Sequence, residues 1–284
     1  MPLAASTGPR VRPSAGSGWR SEDGMNESVD DHIRRTDADG IITLTFTRDK
    51  KLNAVSDEMI DVIRAAVADL ADDESVRTLI ITAEGRYFTA GKDISQMGAQ
   101  SESGVALRRN YRRLHELFDE MERIEKPIIL AAQGPCLGIG VEMSASCDFR
   151  LASDRAIFGL PEIPNLGVLP GSGGISRLTR IVGPHWTRWI AMAGENVTAE
   201  QALHIGLVHK VLPEEGFHDA VQAWARKLIS NSAEALGLAK IAIDAAVDSD
   251  RRTARHIDRM ANTQLIQSPE HLAKIEAFRN RPQR

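Results

Sequence analysis

Short apolar runs alternate with amphipathic helical stretches up to about residue 212, and from Pro213 onward only helical periodicity remains. That order predicts an α/β fold with a helical subdomain appended at its C-terminal end. The run Ile128-Ile129-Leu130-Ala131-Ala132 is apolar without alternation, as in a strand covered on both faces, which is the habit of parallel sheets. At 284 residues the chain can bury about three quarters of its unfolded surface, so its core needs no disulfide or metal staple. The expected divisions are a disordered tail over 1–28, a core over 29–212 and a helical subdomain over 213–284.

The tail is rich in Gly, Pro, Ser and Arg and has no apolar period with which to join a core. It lacks the apolar stretch of a secretory signal. Arg10, Arg12 and Arg20 suit a mitochondrial presequence, but the prolines and the weak amphipathicity oppose one, and Met25 is an alternative start. Structure is expected to begin with a hairpin, His32 to Thr36 and Ile41 to Thr47, turned at Asp39-Gly40, where Ile42, Leu44 and Phe46 alternate. After a loop from Arg48 to Val55, Ser56 caps a helix with Met59, Ile63, Ala66, Val67 and Leu70 on one face. Leu79 to Thr82 form the next strand, Gln96 to Gly104 a polar mobile loop, and Val105 to Ile124 a helix with an exposed arginine face.

Beyond the central stretch, a strand is expected at Phe149 to Ala152; Ala156 to Gly159 follow and lead into Leu160 to Pro164, then come a glycine-rich turn from Gly167 to Gly174 and a helix from Ile175 to Ile181. Thr198 and Gln201 form a capping box, and Leu207 to Val211 read as a strand. Four helices close the chain, at Pro213–Ser230, Ala233–Val247, Arg251–Ile266 and Pro269–Arg279.

A formal charge of −4 and a pI near 6.1 leave no overall nucleic-acid footprint. No apolar run reaches the roughly 20 residues that span a bilayer, so a soluble cytoplasmic protein is expected, with the mitochondrial matrix as the alternative. Cys136 and Cys147 lack zinc spacing and lie among apolar or small residues, so both are expected as buried reduced thiols. His204 and His209, five apart across a helix end, are poorly placed to share a metal and are read as surface histidines; no metal is expected. Trp186 and Trp189 are read as packing or interface residues.

Chemistry concentrates after Pro127. Gly134, Gly138 and Gly140 free the backbone to turn amide N–H groups toward a ligand. Glu142 opens a buried helix in an otherwise apolar context, where a solvated carboxylate is unexpected, and Glu162 stands between Pro161 and Ile163 on the same logic. Donors for a developing anion beside a carboxylate that moves a proton suit carbonyl chemistry. The chain has no phosphate-loop Gly-Lys-Ser/Thr, no GxSxG and no GxGxxG.

Four segments in order, FTAGKDI (88–94), GPCLGIGVEMSASCD (134–148), PEIPNLGVLPGSGG (161–174) and TAEQALHIGLVHKV (198–211), resemble the crotonase superfamily, the enoyl-CoA hydratase/isomerase family. The likeness runs from about residue 30 to the C-terminus. It implies a spiral of ββα units, C-terminal helices that build homotrimers or paired trimers (hexamers), and an acyl-CoA thioester substrate. It implies no separate cofactor, no nucleic acid and no membrane. The thioester oxygen would lie between the N–H groups of Lys92 and Ile139, each donor contributing about 3–4 kcal/mol by analogy with other oxyanion holes.

The family's two glutamates match Glu142 and Glu162. One would deprotonate water for attack at C3 and the other would place a proton on C2. Leu52 and Ala54 match the segment lining the CoA, with Ala90, Asp93, Ile94, Gly138 and Pro161 around the substrate. Lys240, Lys274 and Phe278 stand where members reach the CoA phosphates or the acyl mouth. Ile139 replaces a common glycine and Lys92 a small apolar residue, so the hole survives on backbone N–H groups while Ile139 narrows the acyl pocket. The expected activity is enoyl-CoA hydratase, a lyase of fatty acid β-oxidation. A Δ3/Δ2 isomerase using Glu162 alone, a decarboxylase or thioesterase on the same scaffold, and a non-catalytic acyl-CoA-binding paralogue are the alternatives.

Overall fold

The structure, a computed structural model, describes residues 32–96 and 103–280. The expected tail and most of the Gln96 to Gly104 loop lie outside those residues. The strands are β1 (Ile33–Ala38), β2 (Ile41–Phe46), β3 (Thr78–Ala83), β4 (Ile128–Ala132), β5 (Cys136–Leu137), β6 (Phe149–Ser153), β7 (Ile157–Gly159), β8 (Val197–Thr198) and β9 (Lys210–Leu212). The helices are α1 (Asp57–Asp72), α2 (Gly104–Arg123), α3 (Ile139–Ala145), α4 (Glu162–Leu166), α5 (Gly174–Thr187), α6 (Ala199–His204), α7 (Phe217–Ile229), α8 (Ala233–Asp248), α9 (Arg251–Ile266) and α10 (Pro269–Arg279).

Asp39 and Gly40, with φ of 54° and 75°, turn the β1–β2 hairpin and set Ala38 opposite Ile41. From β2 onward the main sheet is parallel, in the order β1-β2-β3-β4-β6-β9. A smaller sheet, β5-β7-β8, lies beside it. Successive passes repeat one plan: β4 joins the main sheet, β5 the small one, and α3 follows; β6, β7 and α4 do the same. This is the spiral of ββα units.

Strand alternation divides the core. Leu79, Ile81, Ile128, Leu130 and Ala132 pack toward α1, α2, α3 and α5, while Ile80, Ile129 and Ala131 face Phe217, Val221 and Ala225 of α7. The residue-213 boundary therefore precedes a helix that packs on the sheet. By contrast α9 and α10 bury none of their residues, and α8 buries only Gly237.

Several boundaries moved for local reasons. The N–H groups of Leu207 and Val208 bond back to the Ala202 carbonyl, so the expected strand there is a turn and β9 begins at Lys210. Gly216, at φ 72°, delays α7 to Phe217. Arg150 is buried under the C-terminal end of α3, donating to the carbonyls of Ser144 (3.0 Å), Cys147 (2.6 Å) and Leu207 (2.7 Å). Cys136 and Cys147 are buried and free, as expected, and burial pushes the Cys147 thiol up to about 12. Among the described residues no helix is long and apolar enough to cross a membrane.

Candidate active site

A cleft of about 410 Å³ opens where α1, α2, the start of α3 and the Pro161–Ser172 segment meet. Glu142, Glu162, Lys92, Ile139, Ala90, Ile94, Gly138 and Pro161 all line it, so most of the expected site converges.

Backbone geometry supplies two donors. Val55 makes an isolated parallel bridge with Lys92, donating to the Gly91 carbonyl (2.9 Å) and accepting from the Asp93 N–H (2.9 Å). Extended backbone alternates its polar groups, so the Lys92 N–H points the other way, into the cleft that residue lines. Opposite it, Ile139 is the first residue of α3, and the first-turn N–H groups of a helix have no partner within it. Gly138 makes this approach possible. It sits at φ 56°, and a Cβ built there would stand 2.7 Å from Glu162 Oε1 and 3.4 Å from the Gly91 Cα. The Lys92 side chain pairs with Asp57 of α1 at the rim, which leaves only its backbone facing the centre.

The carboxylates are held differently. Glu142 is 3% exposed, and its Oε1 accepts from the N–H groups of Ser172 (2.7 Å) and Gly174 (3.2 Å). Burial raises its pKa, and the donors from Ser172 and Gly174 work against that rise. Glu162 opens α4 and is half-buried. Burial pushes its carboxyl up to about 7; its own N–H opposes this and the negative charge of Glu142 adds to it. Glu162 Oε2 is buried with no hydrogen-bond partner among the described residues, the signature of a group kept for something other than stability. Two backbone donors and two carboxylates in one cleft can polarise a carbonyl and move protons beside it.

The profile described as enoyl-CoA hydratase/isomerase matches residues 36–283, spanning both donors and both glutamates. The chain belongs to the enoyl-CoA hydratase/isomerase family, within the crotonase superfamily. It is 33% identical to the short-chain-enoyl-CoA hydratase of Clostridium acetobutylicum over 252 residues, covering 85% of this chain and 95% of that protein. It is 36% identical to the crotonyl-CoA hydratase of Syntrophomonas wolfei, covering 77% and 83%. The solved enoyl-CoA hydratase of Mycobacterium smegmatis superposes with a TM-score of 0.81 at 27% identity, covering 89% of this chain and 98% of that one.

Other residues matched to the family's pattern do not reach the cleft. Asp93 was expected beside the CoA; instead it is buried, paired with Arg48 (2.6 Å) and accepting from Ser95 N–H and Oγ (3.0 and 2.6 Å). Lys240, expected at the CoA phosphates, is turned inward, with Nζ 2.9 Å from both Asp148 Oδ2 and the Met121 carbonyl. With its charge spent on a buried counter-ion, Lys240 itself is not offered to a phosphate. Lys274 pairs along α10 with Glu270 at 2.7 Å. Phe278, 68% exposed on α10, lies outside this cleft. Leu52 and Ala54 act at the backbone: the Leu52 carbonyl accepts from Ala90 N–H (2.9 Å) and the Ala54 carbonyl from Arg48 (3.2 Å). They shape the loop behind Ala90 and do not line the cleft. His209 Nδ1 accepts from the Arg150 N–H (3.1 Å), a packing contact.

The support for Glu142 comes from a part of the chain distant in sequence. Ser172 and Gly174 belong to a loop gripped by one face of α2. His115 Nε2 lies 2.7 Å from the Gly171 carbonyl, and Asp119 and Glu122 both hold Arg177, which donates to the Ser172 carbonyl at 3.1 Å. The spacing 111, 115, 119, 122 is a helical stripe and was the available signal.

Proposed function

We propose that this chain is an enoyl-CoA hydratase, adding water across a trans-2-enoyl-CoA to give a 3-hydroxyacyl-CoA. The observation that carries the reading is the pair of glutamates in one cleft with two backbone donors, one carboxylate fixed and the other free to exchange a proton. The thioester oxygen takes the Lys92 and Ile139 N–H groups, and the enolate charge that develops there is stabilised without a metal. Glu142, locked through Oε1, orients water with its other oxygen and takes a proton as the C3–O bond forms. The π electrons move toward the carbonyl, and Glu162, with a pKa near neutrality, returns a proton to C2. Proton exchange between the two carboxyls or with solvent resets the site.

Leu107, Tyr111, Leu166, Val168 and Leu169 give the cleft an apolar wall for the acyl chain. With relatives named for short-chain and crotonyl substrates, a short acyl chain is the expected class, used in fatty acid β-oxidation. Loss of conjugated-thioester absorbance from crotonyl-CoA tests the reading; a chain that binds the ester without turnover refutes it. The free oxygen of Glu162 also suits a one-carboxylate isomerase, and conversion of a 3-enoyl-CoA faster than hydration of the 2-enoyl ester would favour that alternative.

We also assign the chain to homotrimers or hexamers in the cytoplasm, with the mitochondrial matrix as the alternative compartment. Ile243, Val247, Met260, Leu272 and Phe278 are exposed on α8, α9 and α10, an apolar surface suited to a second copy. Sedimentation of the full chain as a monomer would refute the assembly.

A further inference from the structure

We propose that His115 is a positioning residue that aims Glu142 through the Gly171–Ser172 peptide. The inference rests on the hydratase reading for its catalytic consequence and on distances for its geometry. A carbonyl oxygen only accepts, so the His115 nitrogen 2.7 Å from the Gly171 oxygen is a protonated Nε2. That carbonyl belongs to the same planar unit as the Ser172 N–H, which donates to Glu142 Oε1 at 2.7 Å. Holding one end of a rigid peptide fixes the direction of the other, and each bond polarises the next.

Other contacts keep the loop folded but leave this peptide to His115. Arg177 grips the next carbonyl, that of Ser172, and is itself tied to Asp119 and Glu122. Tyr111 packs so closely that a Cβ on Gly171 would stand 2.4 Å from its ring. Lacking that Cβ, Gly171 has the freedom to let its peptide rotate. Loss of His115 therefore releases an orientation and leaves the loop in place. The groups facing Glu142 are Glu162 across the cleft, His115, the Ser172 hydroxyl and the N–H groups of Ser172 and Gly174.

The test compares full-length wild type, His115→Leu and His115→Gln with crotonyl-CoA. Leucine removes the donor; glutamine places a neutral N–H near the same point. Misaligned catalytic groups cost up to about 100-fold, so His115→Leu should lose roughly 10–100-fold in kcat with KM and Tm little changed. His115→Gln should recover most of that loss. A second readout needs no turnover: the Glu142 carboxyl carbon titration, followed by NMR and assigned with Glu142→Gln, should move to higher pH in His115→Leu and return in His115→Gln. If wild type fails to hydrate crotonyl-CoA, the functional reading falls and the titration alone judges His115. Failure of glutamine to restore either readout, or an unmoved titration in His115→Leu, overturns the proposal.

Discussion

Glu142, in the first turn of α3, and Glu162, which opens α4, stand beside the same cleft, yet their surroundings are opposite. The first is deep, and one oxygen is held by two backbone N–H groups from a loop about 30 residues away. The second is closer to solvent and has a buried oxygen with no partner among the described residues. Burial raises both carboxyls; the two donors on Glu142 work against its rise, while the charge of Glu142 adds to the rise of Glu162, which reaches about 7. Division of labour thus follows from hydrogen-bond supply. The sharpest way to break this comparison is to neutralise each partner.

Glu142→Gln and Glu162→Gln should each lower kcat for crotonyl-CoA hydration by about 10²–10⁴-fold with little change in ester affinity. The double variant should fall far short of the product of the two, because both serve one addition. An isomerase would instead tolerate Glu142→Gln. Next in size, Gly138→Val attacks the open side. Its Cβ would meet Glu162 Oε1 at 2.7 Å, and the φ of 56° resists a β-branched residue. Turnover should drop by about 100-fold or more in a folded protein, and near-normal turnover would remove the Ile139 donor from the scheme.

Gly171→Ala loosens the clamped side. The new methyl must displace the Tyr111 ring, an overpacking that should cost about 1–3 kcal/mol in thermal or urea unfolding, and activity should fall further than stability explains. The smallest effect separates the two glutamates by pH. The folded state raises Glu162 from 4.5 to about 7, so it holds that proton more tightly than the unfolded chain. The associated stability is complete below about pH 4.5 and is lost as pH climbs through 7. Glu162→Gln should therefore melt higher than wild type at about pH 8, by roughly 1–3 kcal/mol after allowance for solvent screening, with the gap closing near pH 5. Equal melting at both pH values would show that Glu162 is not raised.

Much of this was legible in the sequence where the signal is local. The apolar runs of β2, β3 and β4, the Asp39-Gly40 turn and the caps at Ser56 and Thr198 all appear at or near their expected places. Two-residue strands such as β5 and β8 carry no period to detect, and Pro164 hides α4. Leu207 and Val208 were apolar enough for a strand, but their N–H groups had a nearer acceptor in Ala202. In the site, both glutamates and both backbone donors reach the cleft from recognisable segments. What stayed hidden were pairings across long separations: Asp93 with Arg48, Lys240 with Asp148, and Glu142 with Ser172. A charged residue at a family position says nothing of a partner elsewhere in the chain that can claim it.

Arg150 has a consequence for how this protein fails. Its guanidinium joins the Ser144 carbonyl of α3 and the Cys147 carbonyl just beyond it to Leu207, so the helix whose first N–H groups face the cleft is anchored at its far end inside the core. Such a helix has no private route to opening. Apart from the Ile139 N–H at the cleft, its amides should exchange with deuterium only when the whole domain unfolds, and heat should extinguish activity and structure over the same few degrees.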